Sequence, residues 1–201
     1  MLQLIRYFKT IIMIRSEYQD KQLIVDILTN SFENNRSVNY IIKQDSKRIE
    51  RIKNLMAYSF DVCYYFGEVF LSDNKKACAL IVYPDKKRAN LRSILLDMKL
   101  ILFSTGLSNI KKVMDREAKI KKFHPENLIY YLWFIGVDPK DQNLGLGSAL
   151  LKEVLKEGES MHRPVYLETS TLKNIPWYEK FGFKIYNELD LSYRLFFLKK
   201  E

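Results

Sequence analysis

One continuous run, Tyr130 to Phe183, constrains this chain more than any other feature. It opens with the apolar stretch Tyr130-Tyr131-Leu132-Trp133-Phe134-Ile135-Gly136-Val137, which has the length and bulk of a buried strand. A turn at Asp138-Pro139 follows, then Gln142-Asn143-Leu144-Gly145-Leu146-Gly147, and then Ser148-Ala149-Leu150-Leu151-Lys152-Glu153-Val154-Leu155 with helical spacing. Strand, glycine loop and helix in that order make an anion site from backbone alone. The first N–H groups of a helix have no intrahelical partner and lie at the positive end of its dipole. A pyrophosphate fits such an end. Gly145 and Gly147 lack a Cβ and let a ligand come close to the main chain. The loop is neither G-x-G-x-x-G nor a P-loop, since no Gly-Lys-Ser/Thr follows.

This arrangement resembles the acetyl-CoA signature of the GCN5-related N-acetyltransferase (GNAT) superfamily. The family shows Gln or Arg, two free positions, Gly, one free position, then Gly or Ala, after a strand and a Val-x-Pro-like turn. Val137-Asp138-Pro139 and Gln142-x-x-Gly145-x-Gly147 match it. The second half matches too. Pro164-Val165-Tyr166-Leu167-Glu168-Thr169 reads as the next strand, and Asn174 precedes Pro176-Trp177-Tyr178-Glu179-Lys180-Phe181-Gly182-Phe183. The Leu-Glu-Thr-Ser stretch and His124-Pro125 are also similar to the puromycin acetyltransferase-like branch. The clear resemblance covers about residues 124–190. The loop departs from the family at Asn143-Leu144, where Gly-Lys or Arg-Gly is frequent.

The resemblance implies an α+β fold, a mixed and mostly antiparallel central sheet flanked by helices, with two parallel neighbours splayed around the pantetheine of acetyl-CoA. The order of elements read from the chain agrees. It runs from a strand at 11–15 through helices at 18–32 and 45–60, a hairpin of 64–71 and 77–83, and helices at 91–103 and 110–123 broken near Thr105-Gly106. The strand 129–137, helix 144–160, strand 164–170 and short helix 175–181 come next, and 183–186 with 192–198 close the sheet. We expect a single domain at 13–201, with 1–12 as an N-terminal extension or an upstream start.

Acetyl transfer to an amine requires an unprotonated amine, donors to the developing oxyanion and an acid for the leaving thiolate. From the resemblance, Tyr178 is the candidate general acid; from its place on the strand beside the cofactor strand, Glu168 is the candidate base, with Glu68 on the hairpin strand as a second carboxylate. Ile135, Gly136 and Val137 are candidates for pairing with the pantetheine, Gly136 tolerating a strand bulge. Gln142, Asn143, Leu144, Gly145, Leu146, Gly147 and Ser148 form the expected pyrophosphate loop, and Asn174 contacts the pantetheine or caps a helix. His124 and His162 are expected to be structural. The function implied is transfer from acetyl-CoA to a primary amine of a small molecule, by direct attack in a ternary complex.

Three alternatives stand beside it. They are a non-catalytic acyl-CoA-binding module, a protein N-terminal or lysine acetyltransferase, and a basic nucleic-acid-binding domain. The net charge of +9 favours anionic partners. Its lysines are dispersed, however, in small clusters such as Lys111-Lys112, without the aromatic interleaving that stacks on bases. The expectation is therefore no nucleic acid and, with no apolar run of about 18 residues, no membrane partner. Cys63 and Cys78 and only two histidines predict no metal site, and this thiol usage suits a reducing cytoplasm. Dimers are common in the family, which leaves a homodimer open.

Overall fold

A computed structural model describes residues 12–86, 90–125 and 128–201. The extension expected at 1–12 therefore lies, apart from Ile12, outside the described residues. Seven strands form one sheet, and their ranges are β1 Met13–Arg15, β2 Gly67–Ser72, β3 Ala77–Val82, β4 Tyr130–Val137, β5 Val165–Thr169, β6 Lys184–Asp190 and β7 Arg194–Lys200. The spatial order is β1-β2-β3-β4-β5-β7-β6. Every neighbouring pair is antiparallel except β4 with β5.

Among the described residues, seven α-helices accompany the sheet. They are α1 Lys21–Phe32, α2 Arg36–Ile41, α3 Arg48–Phe66, α4 Leu91–Leu100, α5 Ile110–Lys121, α6 Leu146–Ser160 and α7 Ile175–Glu179. A π-helical turn at Ile101–Thr105 and Gly106, with φ 73°, make the break expected between α4 and α5. No single described helix is long and apolar enough to cross a membrane.

The strand β3, Ala77-Cys78-Ala79-Leu80-Ile81-Val82, is buried along its whole length because both sheet faces are covered. Cys78, Leu80 and Val82 pack with α1 and α3, while Ala77, Ala79 and Ile81 pack with Leu150, Leu151 and Val154 of α6. Cys63 and Cys78 are both buried and no disulfide joins them. At roughly 25 cal/mol per Å2 of apolar surface removed from water, these two layers carry most of the fold's hydrophobic stabilisation.

Three local readings of the sequence change. First, α3 runs to Phe66, although Val62 to Phe66 has strand-like composition. Ser59, Val62, Cys63 and Phe66 continue the buried stripe at helical spacing, so packing overrides propensity. Second, residues 33–44, given no element from sequence, contain α2, whose N-cap Asn35 accepts a hydrogen bond from the Val38 N–H. Third, the bulge on β4 falls at Trp133, not at Gly136. Leu80 faces Phe134 while Ile81 faces Leu132, so Trp133 is the extra residue.

The consequence of that bulge is a reversal of faces. Leu132 points to the α6 side, whereas Trp133 and Phe134 both pack toward α1 and α3. Gly136 sits in register opposite Cys78. A Cβ there would meet Leu28 Cδ2 at 2.8 Å, so its glycine serves the close approach of α1.

Candidate active site

The parallel pair β4 and β5 is in register only at Tyr130 with Val165 and Tyr131 with Tyr166. Beyond those residues the strands part, and a cavity of about 640 Å3 occupies the gap. Its lining includes Ile135, Gly136, Val137, Gln142, Asn143, Gly145, Leu146, Gly147, Ser148, Glu168, Asn174 and Tyr178. The structure thus brings together every predicted site residue except Leu144 and the second candidate carboxylate, Glu68. Leu144 does not line the cavity; it is 69% exposed, its side chain turned to solvent.

The loop is held from below. Ser31 Oγ donates to the Val137 carbonyl at 2.7 Å, and the Gln142 side-chain amide donates to the same oxygen at 3.2 Å. Asn143 and Gly145 both adopt left-handed backbone, with φ of 63° and 82°. Asparagine tolerates that region better than other residues with a side chain, which explains why the departure from the family at position 143 keeps the loop's path. Nothing lies within 4 Å of a Cβ built on Gly145, so the space beside the loop is open.

Gly145 is the N-cap of α6, and the first helical bond runs from the Ala149 N–H to its carbonyl at 3.0 Å. The N–H groups of Leu146, Gly147 and Ser148 consequently have no helical partner. Trp177 Nε1 donates to Ser148 Oγ at 2.9 Å, tying α7 to α6. This end of a 15-residue helix, with open space before it and no carboxylate among the loop residues it caps, fits the diphosphate of a CoA thioester.

Tyr178 on α7 is 6% exposed and packs edge-on against Phe183. Burial pushes its phenol well above the ordinary tyrosine value, so it keeps its proton at neutral pH. Asn174 occupies the N-cap of α7 but makes no side-chain capping bond, and it lines the cavity. The capping role considered for it is thus not the one it plays.

Glu168, on β5, meets two partners. Oε1 lies 2.6 Å from His124 Nε2, and Oε2 accepts from the Tyr131 hydroxyl. Both neighbours are largely enclosed, and burial together with the Glu168 charge raises the Tyr131 phenol far above its usual value. His124, expected to be structural, therefore lies against a cavity carboxylate, and its ring orients it. His162 remains at the end of α6, its N–H on the Glu159 carbonyl at 2.9 Å. Glu68, the second carboxylate considered, is elsewhere. It is paired with Arg15 at 2.5 Å and does not line the cavity.

Arg116, on α5, is a site residue that the sequence reading missed. It lines the cavity, is 8% exposed, donates from Nε to the Tyr193 hydroxyl at 2.9 Å and from Nη2 to Ser37 Oγ at 2.6 Å. A signal was present in the pattern, because an arginine stands between Val113 and Ile120 on the inward stripe of α5. Nothing in the local sequence pairs His124 with Glu168, 44 positions away. Among the described residues no group of three or more His, Cys, Asp or Glu is placed to hold a metal ion.

Comparison with known proteins bears on this geometry. Residues 109–185 match the family described as acetyltransferase (GNAT) domain. An uncharacterised N-acetyltransferase of Schizosaccharomyces pombe is 39% identical over 69 residues, 34% of this chain and 28% of that protein. A probable serine/threonine-protein kinase of Dictyostelium discoideum is 32% identical over 80 residues, 39% of this chain and 8% of that one. The match thus spans under a third of either curated relative. Among solved structures, a histone acetyltransferase HPA2 and related acetyltransferase from Corynebacterium glutamicum superposes with a TM-score of 0.71 at 18% identity, covering 95% of this chain and 96% of that one. The C-terminal condensation domain of Ebony, in complex with β-alanyl-dopamine, does so with a TM-score of 0.69 at 13% identity, covering 95% and 98%. With its splayed β4 and β5 and its glycine loop, the chain has the fold of the GNAT acetyltransferases, and its residues 109–185 match the GNAT domain family.

Proposed function

We propose that this protein is an acetyl-CoA-dependent N-acetyltransferase that acetylates a primary amine of a small molecule in a ternary complex. The observation that carries this reading is the continuity of one cavity, from the glycine loop through the β4/β5 gap to Glu168. A bound acetyl-CoA supplies an already activated thioester, so the chain needs only to place two reactants and manage protons.

The N–H groups of Leu146, Gly147 and Ser148 hold the diphosphate. The edge of β4 freed by the splay, at Ile135 to Val137, and the side chain of Asn174 hold the pantetheine. Tyr178, kept protonated by burial, donates to the departing thiolate. Glu168 takes the amine proton, directly or through one water. His124 Nε2, 2.6 Å from Oε1 and donating to it in its Nε2-protonated tautomer, orients the carboxylate for that transfer. Tyr131 fixes the other carboxylate oxygen. We place this activity in the cytoplasm, the compartment its two thiols suit.

Titration calorimetry with acetyl-CoA tests the cofactor half, with Gly145→Glu as control. Tight binding lost in the variant is the expected result, followed by thiol release on adding amine acceptors. A well-folded wild type that binds no acetyl-CoA would refute the reading.

A further inference from the structure

We propose that the acceptor is a zwitterion, an amine that also carries a carboxylate, and that Arg116 binds that carboxylate. The inference rests on the acetyltransferase reading and names the substrate class of the same cavity. Its basis is a charge that the protein leaves incompletely answered. Arg116 is 8% exposed, yet the acceptors around it are mostly neutral. Two are the hydroxyls of Tyr193 and Ser37, and the third is the carboxylate of Glu117, whose side chain is 58% exposed. Removing a guanidinium from water is unfavourable unless an anion meets it in the same low-dielectric place.

An N–H inventory sharpens this. A guanidinium has five N–H donors. Nε uses its one on Tyr193, Nη2 uses one on Ser37 and Nη1 uses one on Glu117. Among the described residues, one donor remains on each terminal nitrogen. Paired donors on a planar fork match the two oxygens of a carboxylate.

The same cavity holds two carboxylates, Asp141, which is paired with Lys76, and Glu168, which is set to receive an amine. Opposite charges on the walls of one cavity select a ligand with opposite charges of its own. A simple amine or a polyamine would leave Arg116 unanswered and bring a second cation beside it. Beyond Arg116 lies a further cavity of about 400 Å3, also lined by Lys111, Lys112 and Lys119 against one carboxylate, Asp115. Its potential favours the carboxylate end of the acceptor and opposes a second amine.

The test uses the full chain and matched pairs, each free amino acid against its own carboxamide. Thiol release at saturating acetyl-CoA gives kcat/KM, and thermal shift with the acceptor alone gives binding without transfer. For accepted side chains the acid is expected to exceed the amide by roughly tenfold or more in kcat/KM, and to give the larger thermal shift. In Arg116→Gln the preference is expected to disappear through KM with kcat nearly kept, and in Arg116→Lys to survive in part. The wild-type pairs decide the matter even if Arg116→Gln fails to fold. Amides, or spermidine, acetylated as well as the acids would overturn the proposal, as would acids and amides giving equal thermal shifts or none. Failure of the acetyltransferase reading itself shows separately, as absence of acetyl-CoA binding, and leaves the thermal-shift comparison readable.

Discussion

The glycine-loop wall of the cavity comes from two short stretches, Ile135 to Ser148 and Asn174 to Tyr178, and it works largely through backbone. The opposite wall draws on α1, α2, α5 and the ends of β5 and β7, and it works through side chains such as Ser37, Arg116 and Glu168. The difference teaches how such a molecule divides its tasks. A cofactor with a constant diphosphate is met by constant main-chain donors, which a short motif specifies. An acceptor that differs between enzymes is met by side chains, gathered from positions far apart in the chain. Arg116, for instance, bonds to Ser37 and Tyr193, 79 and 77 residues away.

That contrast can be broken by experiment. Gly145→Glu places a carboxylate and a strained left-handed residue at the N-terminus of α6, and acetyl-CoA affinity should fall by about 100-fold or more. Because the space beside Gly145 is open, the fold should persist, which circular dichroism checks. Tyr178→Phe should lower kcat by roughly 100-fold or more with acetyl-CoA affinity nearly unchanged. Since burial holds that phenol protonated, the alkaline limb of the wild-type pH–rate profile should not report its ionisation. An alkaline limb present in wild type and absent from the variant would contradict this.

On the acceptor wall, Glu168→Gln should reduce kcat/KM for the amine by about 10- to 100-fold, and His124→Ala by less, neither altering calorimetric binding of acetyl-CoA. Loss of cofactor binding in either would mean that the two walls are not separable. Gly136→Ala should cost about 1–2 kcal/mol of stability in a denaturant melt, through its contact with Leu28, while retaining most cofactor affinity.

The smallest effect lies outside the cavity. Burial, the largest influence, raises the Glu68 carboxyl above 4.5, with Arg15 opposing. The unfolded chain then loses this proton first as pH rises, so wild-type stability falls between 4.5 and the raised native value. Glu68→Gln should therefore gain slightly on wild type from pH 4 to pH 7, measured as a difference in Tm.

Legibility followed the same division. Strand β4, the loop, α6 and β5 could be read within two residues of their bounds, since a long periodic run bounded by glycine and proline leaves few alternatives. The hairpin of β2 and β3 was legible from its polar turn. The end of α3 was not, because the aromatic run Tyr64-Tyr65-Phe66 suits either a strand or a buried helix, and contacts alone decide. The bulge at Trp133 was equally hidden, as nothing in Tyr-Tyr-Leu-Trp-Phe-Ile-Gly-Val marks which residue is extra.

By itself the sequence determined the class of fold and the glycine loop at the start of α6. Each depends on residues near one another in the chain, where spacing translates directly into geometry. Only the tertiary structure decided that Gly136 serves packing, that Leu144 faces solvent, that His124 and Tyr131 hold Glu168, and that Arg116 lies in the same cavity. Those facts depend on sheet order and on the parting of β4 from β5, which bring distant side chains together through contacts that no local pattern encodes.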